Sequence, residues 1–205
     1  MFNVKDRVVV ITGGYGVLGA SMARCLSELG AHVVIVGRKT EKGEALAAEL
    51  SALGAEAMFC KADVLDRGSL EAARDEVIAK YGKVDILVNG AGGNNPKATT
   101  DNEYMTPDIG EEVKTFFDLD EAGLKFVFDL NITSAFLVTQ VFAEDMLTTG
   151  GNIINISSMN AYHPLTKIPA YSAAKAGMVA FTKVLAVELG KYNISINCVS
   201  PGAIC

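Results

Sequence analysis

The 205-residue chain has no tryptophan, only two histidines, and four cysteines, Cys25, Cys60, Cys198 and Cys205, that stand far apart without a CxxC pair. Such a set indicates neither a zinc site nor a disulfide framework, so no metal is expected and the cysteines read as reduced thiols of a cytoplasmic protein. Basic clusters are lacking too, since 18 Lys and Arg are outnumbered by 24 Asp and Glu for a net charge of −6. That balance argues against a nucleic-acid surface, which rests on grouped cations. It leaves room for anionic small molecules, because backbone amides can hold them. The start of the chain, Met1 to Arg7, carries no secretory apolar stretch, and no window reaches membrane-spanning length without polar residues. A soluble protein with no membrane partner is expected.

What is present is apolar residues, half of the total, enough at this length for one domain over 1–205 with a full core. Short β-branched runs at Val8–Thr12, Val33–Val36, Ala57–Cys60, Ile86–Asn89, Asn152–Ile156 and Ile194–Val199 predict six strands. Helical patterns separate them, roughly at Val17–Leu29, Glu41–Leu53, Ser69–Tyr81, Asp120–Leu147 and Ala170–Tyr192. Continuous apolar strands alternating with helices imply an α/β fold with a doubly wound parallel sheet, covered by helices on both faces. One stretch breaks the rhythm: Gly93–Leu119 joins a strand to a helix through a long polar segment containing Asn95-Pro96 and Thr106-Pro107. Connections in such folds are usually much shorter. At the carboxyl end of a strand it reads as the wall or lid of a ligand crevice, the alternative being a surface insertion.

The first strand runs into Thr12-Gly13-Gly14-Tyr15-Gly16-Val17-Leu18-Gly19 and then a helix. Glycines permit close backbone approach, and the helix N-terminus offers free amides to a pyrophosphate, so dinucleotide binding is predicted. The end of the second strand bears on which dinucleotide, because a carboxylate there accepts from a free ribose 2′-hydroxyl. Here stand Val36-Gly37-Arg38-Lys39, cationic rather than acidic, which favours NADP(H) over NAD(H). A solvated basic turn is the other reading, and Glu41 nearby keeps NAD(H) open. Asp63, after the third strand, is placed to accept from an adenine amino group or to cap the next turn.

Tyr171 and Lys175 are four apart, which on a helix puts them on one face, one turn from each other. A phenol ionises near pH 10, and bringing one to about 7 requires roughly 4 kcal/mol of differential stabilisation. A lone exposed Lys cannot supply that; a second positive charge in a site closed to water can. By itself the pair is also a common surface arrangement. His163, five residues after Ser158, invites a hydrolase reading, but no Gly-x-Ser-x-Gly turn surrounds the serine.

With these motifs in this order from Val8 to Gly202, the chain resembles the short-chain dehydrogenase/reductase family in its classical branch. In that family a Ser stands thirteen residues before the Tyr of Tyr-x-x-x-Lys, which selects Ser158 over Ser157. The resemblance implies a Rossmann-type sheet of at least six strands in the order 3-2-1-4-5-6 and an oxidoreductase acting on a small carbonyl or alcohol. It implies a catalytic set of Asn131, Ser158, Tyr171 and Lys175, in which Tyr171 relays the proton, Ser158 bonds the substrate oxygen, Lys175 grips the nicotinamide ribose and Asn131 positions a water. Cofactor contacts are implied at Gly13, Tyr15, Gly16, Val17 and Leu18, at Arg38, Lys39, Asp63 and Val64, at Asn89, Ala91 and Gly92, at Tyr171 and Lys175, and at Pro201, Gly202 and Ile204. A homo-oligomer, tetramer or dimer, is implied as well.

Three departures stand out. Val17 occupies the place of the family's second glycine, with Gly16 one position earlier, a spacing that also suits the extended branch of nucleotide-sugar epimerases and dehydratases. Gly90 replaces the second Asn of Asn-Asn-Ala-Gly, and the sequence stops at Cys205, so an apparently truncated C-terminal end is expected. Within the family, the glycine turn, the long insertion and the segment Ser158-Met159-Asn160-Ala161 through Pro169 are similar to a subgroup of D-mannonate oxidoreductases, also called fructuronate reductases. A non-catalytic dinucleotide-binding subunit is the reading from a different class.

Overall fold

Val8–Thr12 forms strand β1, apolar until its last residue and buried throughout. Its side chains alternate between two faces, as a strand dictates. Val8 and Val10 join Val34, Val36, Leu87 and Ile153 on one side, while Val9 and Ile11 join Val33, Ile35 and Val88 on the other. A strand apolar on both faces has to be covered twice, which is why this sequence builds helices above and below the sheet.

The computed structural model describes residues 3–54 and 56–203; of the expected site residues, Ile204 lies outside them. Six parallel strands, β1, β2 (His32–Gly37), β3 (Ala57–Lys61), β4 (Ile86–Asn89), β5 (Gly151–Ile156) and β6 (Ile194–Val199), lie in the order β3-β2-β1-β4-β5-β6. The expected strand order is the observed one. It reverses between β1 and β4, and a crevice opens at such a reversal beyond the carboxyl ends of the strands.

Helices α1 (Val17–Glu28) and α2 (Thr40–Ser51) cover the face of Val9 and Ile11 through Ala23, Leu46 and Leu50. The other face is closed by α3 (Arg67–Tyr81), with Leu70 and Val77, and by α5 (Ser134–Thr149), with Phe142 and Met146. Asp66, not Asp63, caps α3, accepting from the Gly68 amide at 3.1 Å. Asp63 instead closes a local turn by accepting from the Leu65 amide.

The single helix expected over Asp120–Leu147 is interrupted. It runs as α4 (Glu121–Phe128), one wide π turn over Asp129–Thr133, and α5. The cause lies in two side chains. Asn131 Nδ2 donates to the carbonyl of Val127 at 2.8 Å and Ser134 Oγ to that of Leu130 at 2.7 Å, competing with the backbone donors four residues on. By length and a mean hydropathy of 1.5, the run Glu121–Thr149 would suffice to cross a bilayer, but half of its most apolar window is buried in the fold. The last helix, α6, spans Pro169–Leu189 with proline in its first turn, where the missing N–H costs nothing. A short 3-10 turn and Asn193, at φ 58°, then lead into β6.

Candidate active site

Between β1 and α1 the backbone folds on itself so tightly that a Cβ on Gly19 would lie 2.5 Å from the carbonyl oxygen of Gly13, which itself has φ +66°. Only glycine fits either place. Thr12, buried below, bridges β1 to β4: its hydroxyl oxygen accepts from the amides of Gly90 and Ala91 at 3.1 and 3.3 Å. The turn therefore sets the first amides of α1, with Gly16 as N-cap and no side chain there to satisfy them, at a crevice of about 550 Å³. Free helix-start amides of this kind suit an anion.

Most expected cofactor contacts line that crevice: Gly13, Tyr15, Gly16, Val17 and Leu18 from the turn, Arg38 beyond β2, Asp63 and Val64 beyond β3, and Ala91 and Gly92 beyond β4. Four do not. Lys39 sits exposed at the start of α2 and reaches the site only through its N–H, which donates to Tyr15 Oη. Asn89 faces the opposite layer, 3% exposed, donating to Thr139 Oγ1 at 2.9 Å and to Asn155 Oδ1 at 2.8 Å, so its side chain is committed to the core. Pro201 and Gly202 lie past β6, outside the crevice lining; the Pro201 carbonyl accepts from the Met159 amide at 2.9 Å, beside Ser158. Beyond the expected contacts the lining also includes Gly19, Gly37, Ala62, Leu65 and Gly90, and two large apolar side chains, Phe126 and Leu130. Their spacing of four on an apolar helix was the available signal.

Next to the crevice, α6 carries Tyr171 and Lys175 one turn apart, with Nζ 5.6 Å from the centre of the phenol ring. Lys175 is 3% exposed. Burial pushes its ammonium down to about 8, with Cys198 acting in the opposite sense, and Nζ donates to the carbonyl of Ile156 at 2.8 Å. A Cβ added to Gly92 would meet Asn131 Oδ1 at 2.8 Å and Lys175 Nζ at 3.0 Å, so the turn after β4, the π turn and α6 converge on one point. Asn131 uses both amide hydrogens, on Gly93 at 2.6 Å and Val127 at 2.8 Å, and accepts from the Gly93 amide at 3.1 Å. Its side chain thus pins the start of the long loop; a water held there has to use the remaining lone pair or the backbone.

The adjacent serines divide two tasks. Ser157 is buried and its hydroxyl donates to the carbonyl of Lys175 at 2.8 Å, tying β5 to α6. Ser158 is half-buried and its oxygen accepts from the Asn160 amide at 3.2 Å, which leaves the hydroxyl hydrogen to donate. The long loop is anchored at the same place. Ala98 is fully buried with Val127, Ala170 and Ala174 against Tyr171, and the Thr100 amide donates to the carbonyl of Lys167 at 2.9 Å. Asp101 and Lys114 close its outer part with reciprocal bonds of 2.8 and 3.1 Å.

The crevice adjoins the buried Lys175 at Gly92, and the short chain dehydrogenase model matches residues 7–205. The chain belongs to the short-chain dehydrogenase/reductase family. It is 47% identical over 201 residues to an oxidoreductase of Haemophilus influenzae, covering 98% of this chain and 70% of that one, and equally identical to an oxidoreductase of Bacillus subtilis, covering 98% and 72%. Among solved structures, a protein from Haemophilus influenzae superimposes with a TM-score of 0.96 at 46% identity, covering 99% of this chain and 73% of the other; D-mannonate oxidoreduction is proposed for it, and it holds NAD. An L-sorbose reductase from Gluconobacter frateurii, complexed with NADPH and L-sorbose, superimposes with a TM-score of 0.82 at 28% identity, covering 99% and 72%. This short-chain dehydrogenase is therefore an oxidoreductase of CH–OH groups that uses a nicotinamide dinucleotide.

The convergence at Gly92 makes a direct prediction for the family enzyme. Gly92→Ala is expected to leave the fold intact but displace Lys175 Nζ or Asn131, lowering kcat about a hundredfold. Steady-state rates beside thermal denaturation curves check it.

Proposed function

We propose that this enzyme transfers a hydride reversibly between the nicotinamide and the carbonyl of a sugar acid, reducing a fructuronate-like ketone to a mannonate-like alcohol. The observation that carries the mechanism is the buried Lys175 ammonium between the Tyr171 ring and Gly92. In reduction, Tyr171 gives its phenolic proton to the alkoxide that forms as hydride arrives; in oxidation it takes that proton back. The Lys175 ammonium favours the ionised phenol and would hold the nicotinamide ribose of a bound cofactor. Ser158 donates its free hydroxyl hydrogen to the substrate oxygen, where negative charge develops. Asn131 holds Gly93, and with it the loop that forms the substrate wall. The nucleotide supplies the hydride when bound; the amides of α1 and the turn residues Gly13, Gly16, Val17 and Leu18 hold its pyrophosphate.

Charge at Arg38 and Lys39 favours NADP(H), whereas the bound NAD of the Haemophilus influenzae relative favours NAD(H). The Tyr15 oxygen, which accepts from the amides of both Arg38 and Lys39, weighs toward the second. For the substrate, support comes from the D-mannonate activity proposed for that same relative. Cys25, Cys60 and Cys198 are free thiols, which suits a cytoplasmic enzyme. The groove between α5 and α6, lined by Phe136, Phe181 and Leu185, suits a second copy of this chain, and a dimer or tetramer by light scattering is the matching result.

The test is consumption of NADH and NADPH with fructuronate and a panel of neutral ketones. Stoichiometric oxidation of reduced cofactor with fructuronate supports the proposal. Consumption with neutral ketones alone removes the sugar-acid assignment, recycling without net consumption points to an epimerase, and binding without turnover to a sensor.

A further inference from the structure

At the end of β2, charge and geometry oppose each other. Arg38 and Lys39 invite a 2′-phosphate, yet the backbone N–H groups of both residues are already engaged. Each donates to the phenolic oxygen of Tyr15, at 3.0 Å in both cases. The ring lies against Gly37, where a Cβ would come 2.4 Å from Cε1 and 2.9 Å from Oη. Two successive amides turned on one oxygen make an anion-binding concavity, and here the protein fills it with its own phenol. The Arg38 guanidinium is also answered in part, lying 3.8 Å from the Asp63 carboxylate across the crevice.

A 2′-phosphate would have to displace the phenolic oxygen from both amides. A free ribose hydroxyl would not, because a phenol that accepts two hydrogen bonds keeps its own hydrogen to donate. We infer that Tyr15 is the residue that discriminates between the two cofactors: its oxygen stands where a phosphate oxygen would bind, and its hydrogen serves a free ribose hydroxyl, so NAD(H) is held in preference to NADP(H) despite two adjacent cations. The inference rests on dinucleotide binding in this crevice and on no particular substrate. It also gives the displaced glycine a role, since Gly14 and Gly16 flank Tyr15 in the turn.

The test measures dissociation constants for NADH and NADPH by nicotinamide fluorescence in the wild type, Tyr15→Phe, Arg38→Ala and the double variant. Tyr15→Phe removes one oxygen and leaves the ring against Gly37. The wild type is expected to bind NADH at least as tightly as NADPH, and Tyr15→Phe to shift the ratio about tenfold toward NADPH, the scale of a hydrogen bond to a charged group. Arg38→Ala should undo that gain when combined with Tyr15→Phe and change little on its own. Tyr15→Ala, which clears the ring as well, should move the ratio in the same direction as Tyr15→Phe. An unchanged ratio, or a shift toward NADH, overturns the assignment of Tyr15 and leaves dinucleotide binding standing; failure of the wild type to bind either nucleotide overturns both.

Discussion

Tyr171→Phe is expected to stop hydride transfer while NADH and NADPH still bind. The ring of Tyr171 packs against the small cluster of Ala98, Val127, Ala170 and Ala174, and phenylalanine keeps that packing. Only the oxygen proposed to exchange the proton is lost. General acid–base catalysis by a positioned side chain contributes about 10²- to 10⁴-fold, so kcat should fall by about a thousandfold or more. Titration with either reduced nucleotide should give unaltered dissociation constants, since the α1 amides proposed to hold the pyrophosphate lie at the other end of the crevice. A matching thermal melt would separate lost chemistry from lost structure. If turnover survives, the proton travels by another route and Tyr171 has no catalytic part.

That prediction draws on residues legible in the sequence, and the reason is physical. Strands buried on both faces announce themselves as unbroken apolar runs, so β1, β4 and β6 begin and end where the pattern says, while β2, β3 and β5 extend by one or two residues. The thirteen-residue spacing of the family picks Ser158 over Ser157; in the fold the Ser157 hydroxyl is committed to the Lys175 carbonyl, while Ser158 keeps a hydrogen to give. A signal for the burial of the Asn89 side chain existed. Strand alternation puts it on the same side as Leu87, which belongs to the α3–α5 layer, and away from the face of Val88. The π turn was not legible, because it depends on where the Asn131 and Ser134 side chains find their acceptors rather than on any apolar period. Nor was the reach of Tyr15 to the end of β2, a contact between residues 23 and 24 positions apart that only the folded chain brings together.

Lys175→Met should carry two signatures at once, and the second tests burial independently of catalysis. Loss of the ammonium removes the charge beside the phenol and the donor proposed for the nicotinamide ribose, so kcat should fall by about 10²- to 10⁴-fold. The other signature is in the pH dependence of stability. In the folded, nucleotide-free protein, burial lowers the Lys175 value from 10.5 to about 8. Between those values the unfolded chain binds the proton and the folded chain tends to release it, so unfolding takes up protons and stability rises with pH across that window. Below about 8 the ammonium is charged in both states and the burial penalty is felt in full; its size is about 3 kcal/mol at most, by the conversion of a pKa difference to free energy. Methionine fills much of the same volume without a charge. Denaturant unfolding between about pH 7 and about pH 10 should therefore show a rise for the wild type that is missing in the variant. Saturating NADH should flatten the wild-type curve too, because ribose hydroxyls give the ammonium new acceptors and restore its affinity for the proton. Equal slopes for the two nucleotide-free proteins would mean that the ammonium is solvated, and the proton relay through Tyr171 would lose the desolvated charge on which it depends.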